Sequence, residues 1–306
     1  LIEEHWENIM FCSDDKHPDE FIKGHINELV KRAFKMGFDK LKVLQCAGLN
    51  AVNHYGLKVG MLQKGDDADF IQVDDLDELS NIRTYIKGEL LAENGVSFLP
   101  HQRPETVNNF NATTKKPEDF KILASSGKIQ VIEARDGQLI TGSIFSSLKI
   151  ENGIMISSAS DDILKIVVVN RYADAAVSCA FIKGFGLKQG AIASSVAHDS
   201  HNIVAVGVDD ESICKAVNAI IMAKGGISAV SGMTEKLLPL PIAGIMSAAP
   251  YDEVVAKYTD LDKMAKEMGS KLQAPFMTLS FMALLVIPTL KISDKGLFDV
   301  EKFELI

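Results

Sequence analysis

Phe11-Cys12-Ser13-Asp14-Asp15-Lys16-His17-Pro18 stands between an apolar run and a helical pattern, and its reading sets the fold class. Residues 6–13 have the character of a short strand leading into the Asp14-Asp15 turn. Pro18 suits a first helical turn, where its missing N–H costs nothing, and Asp19 and Glu20 suit the positive end of the helix dipole. Phe21, Ile22, Ile26, Leu29, Val30, Ala33 and Phe34 then recur at helical spacing as far as Gly37. Asp39 opens a second helix with Leu41, Leu44, Cys46, Ala47 and Val52 as its apolar members. Strand, carboxylate-bearing turn and helix make a βα unit whose chemistry belongs at the strand's C-terminal end. Asp14 and Asp15 also have a plainer reading, as caps of the helix that follows.

From Gly60 the pattern shortens. Gly65-Asp66-Asp67 signals a turn, and residues 68–73 and 84–90 read as short strands of a small β-sandwich over residues 56–99. Residues 100–118 carry Pro100, Pro104, Asn108, Asn109, Asn111 and Pro117, the composition of a linker. Beyond it, strand-like runs recur at 129–133, 163–169, 176–182, 191–196, 203–207 and 227–231. Asp209-Asp210-Glu211 starts a helix through Ile213, Val217, Ile220 and Ile221 that ends near Gly225-Gly226. Another helix spans about Asp252 to Met268. Residues 119–306 therefore read as an α/β domain layered around its own sheet.

Inside that domain, Ser195-Val196-Ala197-His198-Asp199-Ser200-His201-Asn202-Ile203 gathers two of the chain's seven histidines around an aspartate and a serine. The apolar runs on either side predict that these polar groups emerge at a strand end. Three readings stay open: Asp199 and Ser200 bond the turn's own backbone, the loop lines a substrate or metal pocket, or it forms a metal site of its own. Zinc requires three or four ligands, and no third stands nearby in sequence. No GxSxG surrounds Ser200, which argues against a hydrolase nucleophile. Gly184-Phe185-Gly186-Leu187 with Gly190 resembles a phosphate loop only loosely, and tight-turn geometry explains it.

Composition excludes several classes. A hydrophobic fraction of 47% with 24% charge supports a large core, and a net charge of −9 opposes nucleic-acid binding by phosphate neutralisation. The four cysteines, Cys12, Cys46, Cys179 and Cys214, form no CxxC pair, as expected of reduced thiols in a cytoplasmic protein. No apolar stretch reaches the roughly eighteen residues of a membrane span, so no membrane partner is expected. The most apolar segment, 275–290, is broken by Thr278, Ser280 and Pro288, and reads as core. Glu3, Glu4, His5 and Glu7 exclude a secretory h-region at the start, and the first residue is Leu1 rather than Met.

The motifs resemble a known family. Phe11 to Pro18, then Gly24-His25-Ile26-Asn27 and Leu49-Asn50-Ala51-Val52-Asn53-His54-Tyr55, resemble the last barrel unit of amidohydrolase-superfamily enzymes. Gly65-Asp66-Asp67-Ala68-Asp69-Phe70 resembles the strand that returns into their β-sandwich. Residues 195–203 and 275–288, with Lys295-Gly296-Leu297-Phe298-Asp299-Val300, are similar to the extra C-terminal domain of bacterial and archaeal adenine deaminases. The resemblance implies an α/β chain: residues 1–55 end a (β/α)8 barrel, 56–99 are β-sandwich strands, 100–118 link, and 119–306 are the C-terminal domain. It implies hydrolytic deamination of adenine to hypoxanthine and ammonia by a metal-activated water, with Mn, Fe or Zn as cofactor.

Asp14 matches the superfamily's catalytic carboxylate after the eighth strand, with Asp15 as the alternative register and a second candidate metal ligand. His198, Asp199 and His201 are the candidate substrate-binding residues, and His17 and His25 read as turn and helix residues rather than ligands. His54 and Tyr55 are expected to pack between barrel and sandwich. No HxH motif occurs in the chain, and seven barrel strands are missing. The expected partners are thus a purine base, the N-terminal barrel half that holds most metal ligands, and further copies of the chain in a homo-oligomer. Without that half the chain is expected to be inactive. The alternative from another class is a non-catalytic α/β module for assembly or regulation.

Overall fold

Gly24 interrupts the helical pattern that runs on from Pro18. Its φ of +144° is a conformation L side chains rarely adopt, so the expected single helix becomes a short α2 (Pro18–Phe21) and a longer α3 (Ile26–Lys35). His25 is the residue before α3, not part of a helix interior. The computed structural model describes residues 2–80, 82–102, 104–124 and 127–306; Leu1, Asn81, Arg103, Ser125 and Ser126 lie outside the described residues. The chain divides into two units, residues 1–102 and 103–306.

In the first unit, α1 (Ile2–His5) leads into a 3-10 turn at Trp6–Asn8, which occupies the start of the expected strand 6–13. No β-ladder forms there among the described residues. A lone strand leaves its backbone polar groups unpaired, and here other groups satisfy them. Phe11 N–H donates to the Cys46 carbonyl at 3.0 Å, and Asn50 Nδ2 donates to the carbonyls of Trp6 (2.7 Å) and Ile9 (2.8 Å). Asp39 caps α4 (Lys40–Ala47) by accepting the Lys42 N–H at 3.0 Å, and α5 (Leu49–Tyr55) follows. Val30, Ala33, Val43 and Leu79 form the unit's buried core.

Strands β1 (Phe70–Gln72), β2 (Arg83–Ile86), β3 (Glu89–Glu93) and β4 (Val96–Ser97) form one antiparallel sheet in chain order. A second sandwich layer is not formed among the described residues. The Gly65–Phe70 motif has a structural role: Asp69 accepts the N–H groups of Gly60 and Lys87, both at 2.8 Å, which hold its carboxyl below the usual range. His54 and Tyr55 are exposed and meet edge to face at 4.7 Å, instead of packing as expected.

The second unit contains β5 (Ile122–Leu123), β6 (Ile129–Glu133), β7 (Gly142–Ser146), β8 (Ile150–Glu151), β9 (Ile154–Met155), β10 (Ile163–Val169) and β11 (Ser178–Lys183). After these come β12 (Ala191–Ser194), β13 (Ile203–Gly207), α6 (Asp210–Ala223), β14 (Gly226–Ser231) and β15 (Thr234–Pro239). Helices α7 (Tyr251–Glu267) and α8 (Pro275–Phe281) and a small sheet of β16 (Leu290–Ser293), β17 (Gly296–Asp299) and β18 (Glu304–Leu305) complete it. Eight strands form one sheet in the order β15-β14-β12-β13-β10-β11-β6-β7, antiparallel throughout apart from the parallel pair β11 and β6. The α/β domain is therefore mixed and mostly antiparallel, and rules for parallel sheets do not locate its chemistry.

Strand β10 explains the layering. Leu164, Ile166 and Val168 face a core shared with Tyr258 and Leu261 of α7 and Phe276 and Leu279 of α8. Val167 and Val169 face Ile213, Val217 and Ile220 of α6 together with Phe120. A strand covered on both faces reads as a near-continuous apolar run, interrupted in β10 by Lys165, and each buried apolar side chain contributes about 1.5–3 kcal/mol. Helix α6 has the punctuation its sequence implies: Asp209 accepts the Ser212 N–H at 2.7 Å, and the chain leaves through Gly225 at φ +122°. No helix among the described residues is long and apolar enough to cross a membrane.

The expected linker 100–118 is a strap on the second unit over much of its length. Phe110 is buried in the α6 core, and the N–H groups of Asn111 and Ala112 donate to the Arg171 carbonyl at 2.7 and 3.1 Å. Asn108 Nδ2 donates to the carbonyls of Lys224 (2.6 Å) and Pro241 (2.9 Å). Asn108 holds the strap through its side chain, and Asn111 through both its backbone and its side chain.

Lys291 gives this unit a pH dependence. Its side chain is fully buried, and Nζ donates to the carbonyls of Leu139 (2.7 Å) and Phe281 (3.1 Å). Burial lowers its pKa from the ordinary 10.5 to about 8. Below that value both folded and unfolded chains hold the proton, so the full cost of burying the charge is present. As pH rises above about 8 the folded protein releases the proton first, and stability rises until the unfolded lysine titrates as well. The Cys179 thiol, pushed up to about 12 by burial, acts in the opposite direction above its ordinary range. Urea unfolding at pH 7 and pH 9 should therefore show a gain in the native chain relative to Lys291→Met, and equal pH dependence in both would refute this.

Candidate functional site

Each unit carries one of the two polar clusters. In the first, Asp14 has a φ of +53°, a left-handed backbone that aspartate tolerates better than most residues. Its Oδ1 accepts the Asp15 N–H at 2.8 Å, and its own N–H lies 3.4 Å from Cys12 Sγ. His17, not either aspartate, is the N-cap of α2, and it makes no side-chain cap bond. The reading of Asp14 and Asp15 as helix caps is thereby overturned. Both carboxylates are exposed, on a turn held by Lys16 Nζ donating to the Gly24 carbonyl and by a 2.7 Å hydrogen bond between Ser13 Oγ and His25 Nε2. Beside the turn, Ile2, Ile9, Phe11, Leu29, Met36 and Phe38 line an apolar cavity of about 590 Å³.

In the second unit, residues 195–202 connect antiparallel neighbours β12 and β13, so the cluster does emerge at a strand end, as expected. The His198 N–H donates to the Ser280 carbonyl at 3.1 Å, and its ring stacks on Phe281 with centroids 4.8 Å apart. The His201 ring lies 5.7 Å from that of His198. His201 turns back on its own loop: its N–H donates to the Ala197 carbonyl at 2.6 Å, and its Nδ1 accepts the Ala197 N–H at 3.3 Å. An accepting Nδ1 places the ring proton of neutral His201 on Nε2. Asp199 is exposed, 4.0 Å from His198 Nδ1.

Sequence reasoning missed what supports this loop. Arg171, buried just past the end of β10, donates through Nη1 to Ala243 and through Nη2 to Tyr172 Oη at 2.9 Å. Tyr172 Oη in turn donates to the Ser200 carbonyl at 2.7 Å, and the Arg171 N–H donates to Asn202 Oδ1 at 3.1 Å. The signal was Asn170-Arg171-Tyr172 directly after a buried strand, where a charged and an aromatic residue must lie at the sheet's end.

Metal fit is limited. Asp14 and Asp15 offer oxygen donors suited to a divalent ion, yet among the described residues no group of three or more His, Cys, Asp or Glu could hold one. That result also disposes of an independent metal site at His198, Asp199 and His201. The glycine loop is not a phosphate site, because Asp162 already occupies it: its carboxylate accepts the N–H groups of Gly184 (2.9 Å) and Gly186 (2.6 Å). Burial raises the thiol pKa values of Cys46, Cys179 and Cys214, which makes them poor nucleophiles.

Comparison with known proteins bears directly on both units. Residues 2–103 match the amidohydrolase family, and residues 138–304 match the adenine deaminase C-terminal domain. Similar relatives include adenine deaminases of Salinibacter ruber, 50% identical, and Methanosarcina acetivorans, 48% identical, each aligned over 100% of this chain. An adenine deaminase of Borreliella burgdorferi is 44% identical over 97% of this chain. The chain spans only 56%, 57% and 55% of those three proteins, about half the length of the curated relatives it matches. With more than half of its residues in the adenine deaminase C-terminal domain and the preceding unit in the amidohydrolase family, the chain belongs to the adenine deaminase family.

Proposed function

We propose that this chain is the C-terminal part of an enzyme that hydrolyses adenine to hypoxanthine and ammonia, and that Asp14 is its proton-transferring group. The observation that carries the reading is the Asp14 turn: an exposed carboxylate on left-handed backbone, uninvolved in capping a helix, within the residues that match the amidohydrolase family. Relatives named adenine deaminase supply the substrate class. A divalent cation, when bound, supplies Lewis acidity that brings the pKa of a water toward neutrality. Asp14 takes a proton from the attacking water as oxygen adds to the ring carbon bearing the amino group. It then delivers that proton to the amino nitrogen, the C–N bond breaks and ammonia leaves. Most ligands for the cation come from an N-terminal barrel half, whose apolar strands would also cover the cavity beside Phe11.

His198, Asp199 and His201 are proposed to line the purine pocket. The stacked His198–Phe281 pair offers an aromatic face to the base. The test is reconstitution. The chain alone should release no ammonia from adenine, whereas the chain expressed with an N-terminal half from a relative, in the presence of Mn(II), should. Failure of every such pairing to release ammonia would favour the assembly-module reading instead.

A further inference from the structure

Ser13 and His25 belong to different corners of the first unit, yet Ser13 Oγ and His25 Nε2 lie 2.7 Å apart. The bond is not helix capping. His25 is the N-cap residue of α3, but its side chain makes no cap bond there; its backbone N–H donates to Asn27 Oδ1 at 2.7 Å. Capping is thus handled by the backbone and Asn27, and the imidazole is turned toward the turn that carries Asp14. That corner is itself well held. The Glu28 N–H donates to the His25 carbonyl at 3.0 Å, the Gly24 N–H to the Phe21 carbonyl at 3.2 Å, and the Phe21 ring lies 4.9 Å from the His25 ring.

The Asp14 turn needs such a support. Left-handed backbone is disfavoured for L-residues, less so for aspartate, and it persists where the surroundings hold it. The Asp14 N–H faces only a weak sulfur acceptor at 3.4 Å. On one flank Lys16 reaches the Gly24 carbonyl, and on the other Ser13 reaches His25. Those two bonds tie both sides of Asp14 to a single corner 10 or so residues away, and the Ser13–His25 bond is the one adjoining Asp14.

We propose that His25, acting through Ser13, is a positioning residue that fixes the direction of the Asp14 carboxylate. Loss of the bond lets the turn relax toward right-handed backbone and swings the carboxylate off the reacting water. The inference rests on the reading of Asp14 given above, and its test separates the two.

In the complete enzyme, Ser13→Ala, His25→Ala and His25→Gln are compared with Asp14→Asn. The glutamine amide nitrogen falls near the position of imidazole Nε2 and can keep the bond. Ser13→Ala and His25→Ala are expected to lower kcat by ~10- to 100-fold, with KM for adenine within about twofold and bound metal unchanged. His25→Gln is expected to recover most of the rate. Hydrogen–deuterium exchange of the amides at 13–16 should quicken in both alanine variants and stay near native in His25→Gln, a readout independent of turnover. Normal kcat in both alanine variants beside an inactive Asp14→Asn overturns the positioning role and leaves the Asp14 reading standing. Unchanged exchange, or equal losses in kcat, metal content and folding with no rescue by glutamine, also overturns it. Near-native turnover in Asp14→Asn removes the Asp14 reading, and the inference falls with it.

Discussion

Asp14→Asn, made in the complete enzyme, is expected to lower the rate of ammonia release from adenine by ~10²- to 10⁴-fold, the usual contribution of a positioned acid–base group. Asparagine has nearly the same shape and can still accept the Asp15 N–H through its amide oxygen, which the native carboxylate does at 2.8 Å. Asparagine also tolerates the left-handed backbone that the turn requires at φ +53°. The substitution therefore keeps the turn and removes the carboxylate's charge and basicity, and metal content measured alongside separates a lost proton acceptor from a lost ligand. Asp15→Asn is the control that separates the two registers, because an effect as large at Asp15 and none at Asp14 would move the catalytic role one residue along. Steady-state ammonia release at saturating adenine decides between them.

The largest stability effect should come from Asp210. Lys165 lies in β10 with its side chain 3% exposed, and Nζ pairs with Asp210 Oδ1 in the first turn of α6. Among the described residues no other carboxylate makes an ion pair with Lys165. Asp210→Ala leaves a buried ammonium without its counter-charge, a change that typically costs ~3–5 kcal/mol. For a unit of this size that corresponds to a fall of roughly 6–20 °C in melting temperature. Replacing both partners, Lys165→Met with Asp210→Leu, should restore most of the loss, because the cost lies in the unpaired charge and not in the missing attraction. A loss under about 1 kcal/mol for Asp210→Ala, measured by urea unfolding, would show that water reaches Lys165.

Where sequence periodicity reports burial, the sequence was informative. The Ile163–Val169 run, apolar apart from Lys165, the Ile203–Gly207 run and the α6 pattern all became elements at those positions, because both faces of the sheet are covered. Pairing was not legible. Whether β12 and β13 lie parallel or antiparallel depends on contacts far apart in the chain, so the sheet's mostly antiparallel order could not be read from the strands themselves. Thr234–Pro239 was missed for a related reason: as an edge strand carrying Glu235 and Lys236 it has the composition of a loop. At the sites, Asp14 and the His198–His201 loop stood out by residue type. Ser13, His25, Arg171 and Tyr172 did not, since each acts through a hydrogen bond to a residue beyond its own segment.

The strap over residues 104–116 decides where this polypeptide can be cut. A recombinant fragment begun at residue 119, where composition suggests the domain starts, would discard Phe110 and leave a hollow beside α6. It would also expose the main-chain oxygen of Arg171, which two amides of the strap now cover. Since Arg171 and Tyr172 brace the histidine loop, trimming a seemingly dispensable tail would loosen residues some ninety positions downstream. The sound excision point is ahead of Pro104.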